Sequence, residues 1–190
     1  MRYRKEMTGM KINIHAGHNG PGKAACGAIG YIDESREARR VKERVKKQLR
    51  AAGHTVYDCT ESNCTSQSDV LNKVVRKCNS HKVDLDVSIH FNACRQDEGD
   101  GKTKGVEVLV YNKKGQVTKT AEAVAKEVAT ALGITNRGVK ENKGLYYLRK
   151  TKSPALLIEV CFVDDADDVK RYDPDKAAEA IVKAIASVSK

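Results

Sequence analysis

Residues 154–163, P-A-L-L-I-E-V-C-F-V, are apolar at nearly every position. Such a run fits a strand covered on both faces, as in a parallel sheet with helices on either side. Glu159 interrupts it. A carboxylate inside a buried strand has no structural use and a large desolvation cost, so it is the least ambiguous sign of function in the chain.

Working outward, the stretch V-S-I-H-F-N-A-C (87–94) follows Asp84-Leu85-Asp86 and continues an alternation of apolar residues through Leu85, Val87 and Ile89, the pattern of a strand. It delivers His90 at its end, ahead of a polar loop at 95–105. Residues 11–15 (K-I-N-I-H) form a shorter strand that runs into A-G-H-N-G-P-G-K, a loop by its glycines and proline. His18 lies in that loop. Alone, such a histidine is best read as a solvated side chain.

A long helix follows. Glu34, Ala38, Val41, Val45 and Leu49 share one stripe at offsets of 4, 7, 11 and 15, and Gly53 closes the helix. Glu34 thus falls in the first turn on the apolar face, where a carboxylate needs a partner. Residues 54–58 read as a second strand and 66–80 as a second helix, with Val70, Leu71, Val74, Val75 and Cys78 inward. This strand–helix–strand–helix–strand order implies parallel strands with right-handed crossovers. Further on, 105–111 reads as a strand, antiparallel and at an edge. A helix at 118–132, a short extended piece at 144–149 and a closing helix at 175–188 complete the pass. His54 and His81 are expected at the surface. The acidic run Asp164, Asp165, Asp167, Asp168 matches no calcium-loop spacing and is expected as a solvated turn that caps a helix. The expected fold is α/β: a single domain at 10–190 built on an open, mostly parallel twisted sheet with helices on both faces. Residues 1–9 are expected to be a loose tail.

With 190 residues, 40% apolar and 32% charged, the composition is that of one soluble globular domain. No apolar run approaches the ~20 residues needed to cross a bilayer, and the basic N-terminus has no apolar segment behind it. Synthesis is therefore expected to end in the cytoplasm. The net charge is +10, of which the tail contributes +2; the basic remainder favours polyanions: nucleic acid, anionic lipid or an acidic cell-wall polymer. With 2 Phe, 7 Tyr and no Trp, a single-strand nucleic-acid platform is not expected. Six cysteines contain no CxxC pair, which argues against a structural zinc knuckle.

His18, His90 and Glu159 follow or end strands, and Glu34 begins a helix. In an open parallel sheet all four fall on the rim at the carboxyl ends of the strands, where sites form. Two histidines, a carboxylate and an open position make a catalytic zinc set, and a further glutamate serves as general base.

With these pieces assembled, the chain resembles the zinc-dependent N-acetylmuramoyl-L-alanine amidases of the amidase-3 family, especially catalytic domains of phage endolysins against clostridia. The matching stretches are I-N-I-H-A-G-H-N-G (12–20), the Glu34 helix ending in A-A-G-H (51–54), V-S-I-H-F-N-A (87–93), and N-R-G-V-K through P-A-L-L-I-E-V-C-F-V (136–163). The resemblance implies Zn2+ bound by His18, Glu34 and His90, with Glu159 catalytic, and peptidoglycan as substrate, reached after release from the cell. It leaves open a zinc peptidase cutting within the stem peptide, or a bacterial autolysin or sporulation amidase. A basic nucleic-acid-binding domain with a structural metal is the reading from another class; it would not need to bury Glu159. His15 stands where the family more often has Asp, and Cys161 where it usually has Gly; His15 is kept open as an alternative histidine ligand, and Cys94 and Cys161 as thiols that could touch the metal. From its closeness to His90, Asn92 is a candidate to hold substrate.

Overall fold

The computed structural model describes residues 9–188. Of the expected tail, all but Gly9 lies outside them. The elements are β1 (Lys11–Ala16), α1 (Glu34–Ala51), β2 (Thr55–Asp58), α2 (Gln67–Asn79), β3 (Leu85–Asn92), β4 (Val106–Val110), α3 (Gly115–Leu132), β5 (Asn136–Glu141), α4 (Tyr146–Lys150), β6 (Ala155–Phe162), α5 (Ala166–Arg171) and α6 (Pro174–Val188). Among the described residues the strands make one six-stranded sheet, in the order β2-β1-β3-β6-β4-β5. β1, β2, β3 and β6 run parallel. β4 and β5 are parallel to each other, and β4 meets β6 antiparallel. The expected open, mostly parallel α/β sheet is what forms.

Alternation along β6 builds the layers. Leu156, Ile158 and Val160 join the larger core with α1, α3 and α6, while Ala155 and Leu157 join a smaller one with Val70, Val74 and Cys78 of α2 and with Tyr147 and Leu148. Glu159 continues the second series, so its side chain belongs to the face under α2 and α4. Side-chain caps start α1 and α2: Asp33 accepts from Arg36 N, and Ser66 accepts from Asp69 N. Each cap satisfies a donor that the first helical turn leaves open.

Several expectations need correction. β4 is antiparallel to β6 but interior, because β5 takes the edge. Within β5 (N-R-G-V-K-E) only Val139 is buried, so an outward strand carries no alternation to read. Residues 146–150 are a short helix rather than extended. The Asn142 side chain accepts from Gly144 N and Leu145 N and turns the chain into it. His54 is buried, its Nδ1 accepting from Met10 N at 3.0 Å. His81 is half-buried, stacked on Tyr57 with ring centroids 4.0 Å apart. The acidic run does cap a helix, since Asp165 accepts from Asp168 N at α5, but it is not solvated. Asp164, Asp165 and Asp168 are buried; Asp164 accepts from Cys94 N, and Asp168 accepts from Phe162 N and Gly105 N. They pin the 95–105 loop to the end of β6.

Under α2 the sheet carries a polar ladder: Asn13 and His15 on β1, Asp86 and Ser88 on β3, paired Asn13↔Asp86 and His15↔Ser88. Asp86 is 1% exposed and accepts from Asn13 Nδ2 at 2.8 Å. Burial pushes its carboxyl up to about 6 from 3.8, against the pull of the Asn13 and Cys78 bonds and the His81 charge. The folded protein therefore holds the proton more tightly than the unfolded chain, and stability is lost as pH rises from the unfolded value through the folded one. At about 1.4 kcal/mol per pH unit the cost at neutral pH is about 3 kcal/mol. Asp86→Asn keeps an acceptor for Asn13 and removes the charge. Urea melts should show its stability gain over the parent growing between pH 4 and pH 7; a gap that stays constant across that range would refute the assignment.

Candidate active site

The loop after β1 is built to present His18. Gly17 N bonds to Ile89 O across to β3. Asn19, fully buried, ties the turn by donating to Ala24 O and Cys64 O and accepting from Cys64 N. His18 itself sits at φ 61, a left-handed conformation that costs a non-glycine residue energy and is held by its surroundings. Two glycines let backbone approach the site: a Cβ on Gly17 would run into the His90 ring, and one on Gly27 into Glu34 Oε2.

Glu34 opens α1 and is 3% exposed. Its Oε1 lies 3.1 Å from His18 Nε2 and 3.1 Å from His90 Nδ1, and also accepts from Phe91 N at 3.2 Å. Its Oε2 accepts from Ala28 N at 2.8 Å. Burial alone would raise this carboxyl, but the bonds to His18 and His90 outweigh it and hold the group far below the usual carboxylate range. His18, Glu34 and His90 each bring a ligand atom within 4.8 Å of the others. Two imidazoles and a carboxylate gathered this closely, with two glycines clearing the space, fit a zinc ion's preference for mixed nitrogen and oxygen donors.

Glu159 pairs in register with His90 across β3 and β6. Its residue surface is half-buried, yet Oε2 is sealed without a hydrogen-bond partner. Burial pushes its carboxyl up to about 8, helped by the charges of Glu34 and Glu107. Glu107, opposite Glu159 on β4, accepts from Asn92 Nδ2 at 3.0 Å and from Arg137 Nε at 2.7 Å. The other end of the Asn92 amide accepts from Ala93 N, so both of its polar atoms are engaged within the protein.

A cavity of about 240 Å³ opens beside these groups, with His15, His18, His90 and Glu159 at one end and Val70, Leu71, Val74 and Leu145 as an apolar wall. His15 is on the floor rather than in the metal-capable trio. Its Nδ1 meets Ala16 O at 3.2 Å, its ring packs edge-on to Tyr147, and burial pushes its pKa down to about 3. The thiols stand apart as well. Cys161 is buried in the larger core, Cys94 is exposed, and neither is among the groups able to share a metal within the described residues. The four rim residues named from sequence thus meet at one place. The α2 and α4 wall, Glu107 and Arg137 were not foreseen. Glu107 reads as an ordinary outward charge on its strand and Arg137 falls outside every strand read from sequence, so only the pairing of β4 with β5 brings them together.

An open α/β sheet with a metal-capable His/Glu/His trio and a poorly solvated glutamate at its carboxyl rim has the parts of a metallohydrolase. The chain belongs to the amidase-3 family: the model of that family, described as N-acetylmuramoyl-L-alanine amidase, matches residues 12–188. An uncharacterized protein of Clostridium perfringens (strain 13 / Type A) is 38% identical over 179 residues, which is 93% of this chain and 51% of that protein. N-acetylmuramoyl-L-alanine amidase LytC of Bacillus subtilis (strain 168) is 31% identical, over 92% of this chain and 34% of its own length. The chain therefore spans about half of the first relative and about a third of the second. Among solved structures, the catalytic domain of the CD27L endolysin targeting Clostridia Difficile superposes with a TM-score of 0.81 at 28% identity, covering 94% of this chain and 97% of that one.

Proposed function

We propose that the chain is a peptidoglycan hydrolase that cleaves the amide between the lactyl group of N-acetylmuramic acid and the L-alanine of the stem peptide. In this reading His18, Glu34 and His90 hold a zinc ion and Glu159 moves the protons. The observation that carries it is the register pair His90↔Glu159, which sets a metal-capable trio beside a buried carboxyl with no partner of its own. Zinc bound there supplies Lewis-acid polarisation for amide hydrolysis. Glu34 turns one oxygen toward both imidazoles, and its other oxygen is held by Ala28 N. The charge of a zinc ion held by the trio would offset the burial of Glu159 and leave it ionised, able to take a proton from the attacking water and deliver it to the nitrogen of the leaving L-alanine. The apolar wall of the cavity keeps competing water from that transfer. Asn92 holds Glu107 with one N–H and accepts from Ala93 N, which leaves its second N–H to hold substrate.

Digestion of purified peptidoglycan, with and without added zinc, tests this reading. New amino termini should be L-alanine; any other new terminus would instead mean a peptidase cutting inside the stem. Likeness to an endolysin catalytic domain supports a lysin that meets the wall after release from the cell, and residues 10–190 as the catalytic unit.

The basic surface adds an expectation about partners. Outside residues 1–9 the net charge is +8, which should hold the enzyme on anionic wall polymers. That attraction is screened as the Debye length falls from ~10 Å at 0.1 M salt to ~3 Å at 1 M. Lysis of whole walls should fall with salt more steeply than cleavage of a small muramoyl peptide. Equal salt curves for both substrates would remove charge from the account.

A further inference from the structure

The face that carries Glu159 continues onto β4 and β5, where the proposed chemistry leaves one cation without a task. Arg137 Nε donates to Glu107 Oε2 at 2.7 Å, and Asn92 occupies the other oxygen of that carboxylate at 3.0 Å. Glu107 is thus a bracket, both of its oxygens engaged, and it fixes the plane of the guanidinium. The same guanidinium lies 5.1 Å over the Phe162 ring, which Lys104 Nζ also approaches at 5.8 Å. Nη1 reaches only Lys104 O, at 3.5 Å, and Nη2 has no partner among the described residues. The side chain is 38% exposed. One edge of the fork is clamped and the other faces solvent on the site's own rim.

We propose that Arg137 binds a carboxylate of the leaving stem peptide, that of the acidic residue following L-alanine. This deepens the amidase reading and rests on it. Three considerations carry the assignment. First, a clamped guanidinium presents paired N–H groups that match a carboxylate in a way a lysine ammonium cannot. Second, the one carboxylate that Arg137 meets among the described residues is Glu107, on Nε alone, and the other oxygen of Glu107 is taken by Asn92. The outer N–H groups of the guanidinium are thus left to an incoming anion. Third, the reach agrees. β5 lies two strands from β6, roughly 10 Å at sheet spacing, a gap the arginine side chain itself spans in part. Two extended residues cover about 7 Å, so a peptide whose scissile amide sits at Glu159 brings its second residue toward Arg137. An exposed Arg–Glu pair alone contributes little to stability, so this pairing is better explained by what it orients than by what it holds together.

The zinc-loaded chain can be assayed on two muramoyl tripeptides that differ at one group, the α-carboxyl of the D-glutamate being free or amidated. The parent should show a kcat/KM about 10-fold higher on the free carboxylate, as one charge-assisted contact supplies, expressed mainly in KM. In Arg137→Gln the ratio of the two kcat/KM values should fall to about one. Arg137→Lys, which keeps the charge and loses the fork, should fall between, and serves if the Gln variant does not fold. A parent ratio of one, or a ratio unchanged in Arg137→Gln, would overturn the assignment. Hydrolysis of neither tripeptide by the parent would overturn the amidase reading and this inference with it.

Discussion

Glu159→Gln should retain the fold and any bound metal and lose amide hydrolysis by about 10²- to 10⁴-fold or more, the range general acid–base groups supply. The change is nearly isosteric. It also relieves the fold, because Oε2 of Glu159 is sealed without a partner and burial already opposes its charge. The variant should therefore be no less stable than its parent, which separates a chemical role from a structural one. Zinc content, melting temperature and turnover on a muramoyl peptide make the comparison. Full activity in Glu159→Gln would end the catalytic proposal. Loss of metal from it would mean that Glu159 is a ligand.

The second large effect concerns the trio. Purified protein should carry about one zinc per chain, chelation should stop hydrolysis, and zinc should restore it. Replacing both His18 and His90 with Ala leaves Glu34 as the sole member and should abolish tight binding. Glu34→Gln should weaken metal binding as well as activity. It should also destabilise the loop, because Glu34 accepts from Ala28 N and Phe91 N in addition to facing both histidines. A full equivalent of zinc retained by the double histidine variant would exclude these ligands.

How much of this could be read in the chain itself depended on what each residue faces. β3 and β6 were legible because their outlines are hydrophobic and their polar exceptions, His90 and Glu159, stand out against buried neighbours. Glu34 was legible because it breaks an apolar stripe whose other members, Ala38, Val41, Val45 and Leu49, are all buried. β5 was not, since an edge strand with one buried residue has no pattern. α4 depends on a side chain, Asn142, acting on backbone two and three residues ahead. The acidic run at 164–168 misled for a related reason. Its carboxylates are buried against backbone N–H groups of distant loops, and sequence does not show those donors. Arg137 and Glu107 likewise acquire meaning only when β4 and β5 lie side by side.

The place of β6 in the sheet also bears on how the chain is made. It sits between β3 and β4, yet it is the last strand to leave the ribosome. Until residue 162 is synthesised, β3 and β4 each present an open edge, and unpaired edges invite association with other chains. His90 has no Glu159 opposite it before that moment. A nascent or truncated chain ending before 155 should therefore be both inert and prone to aggregate, so hydrolytic capacity arrives late and all at once, with closure of the sheet.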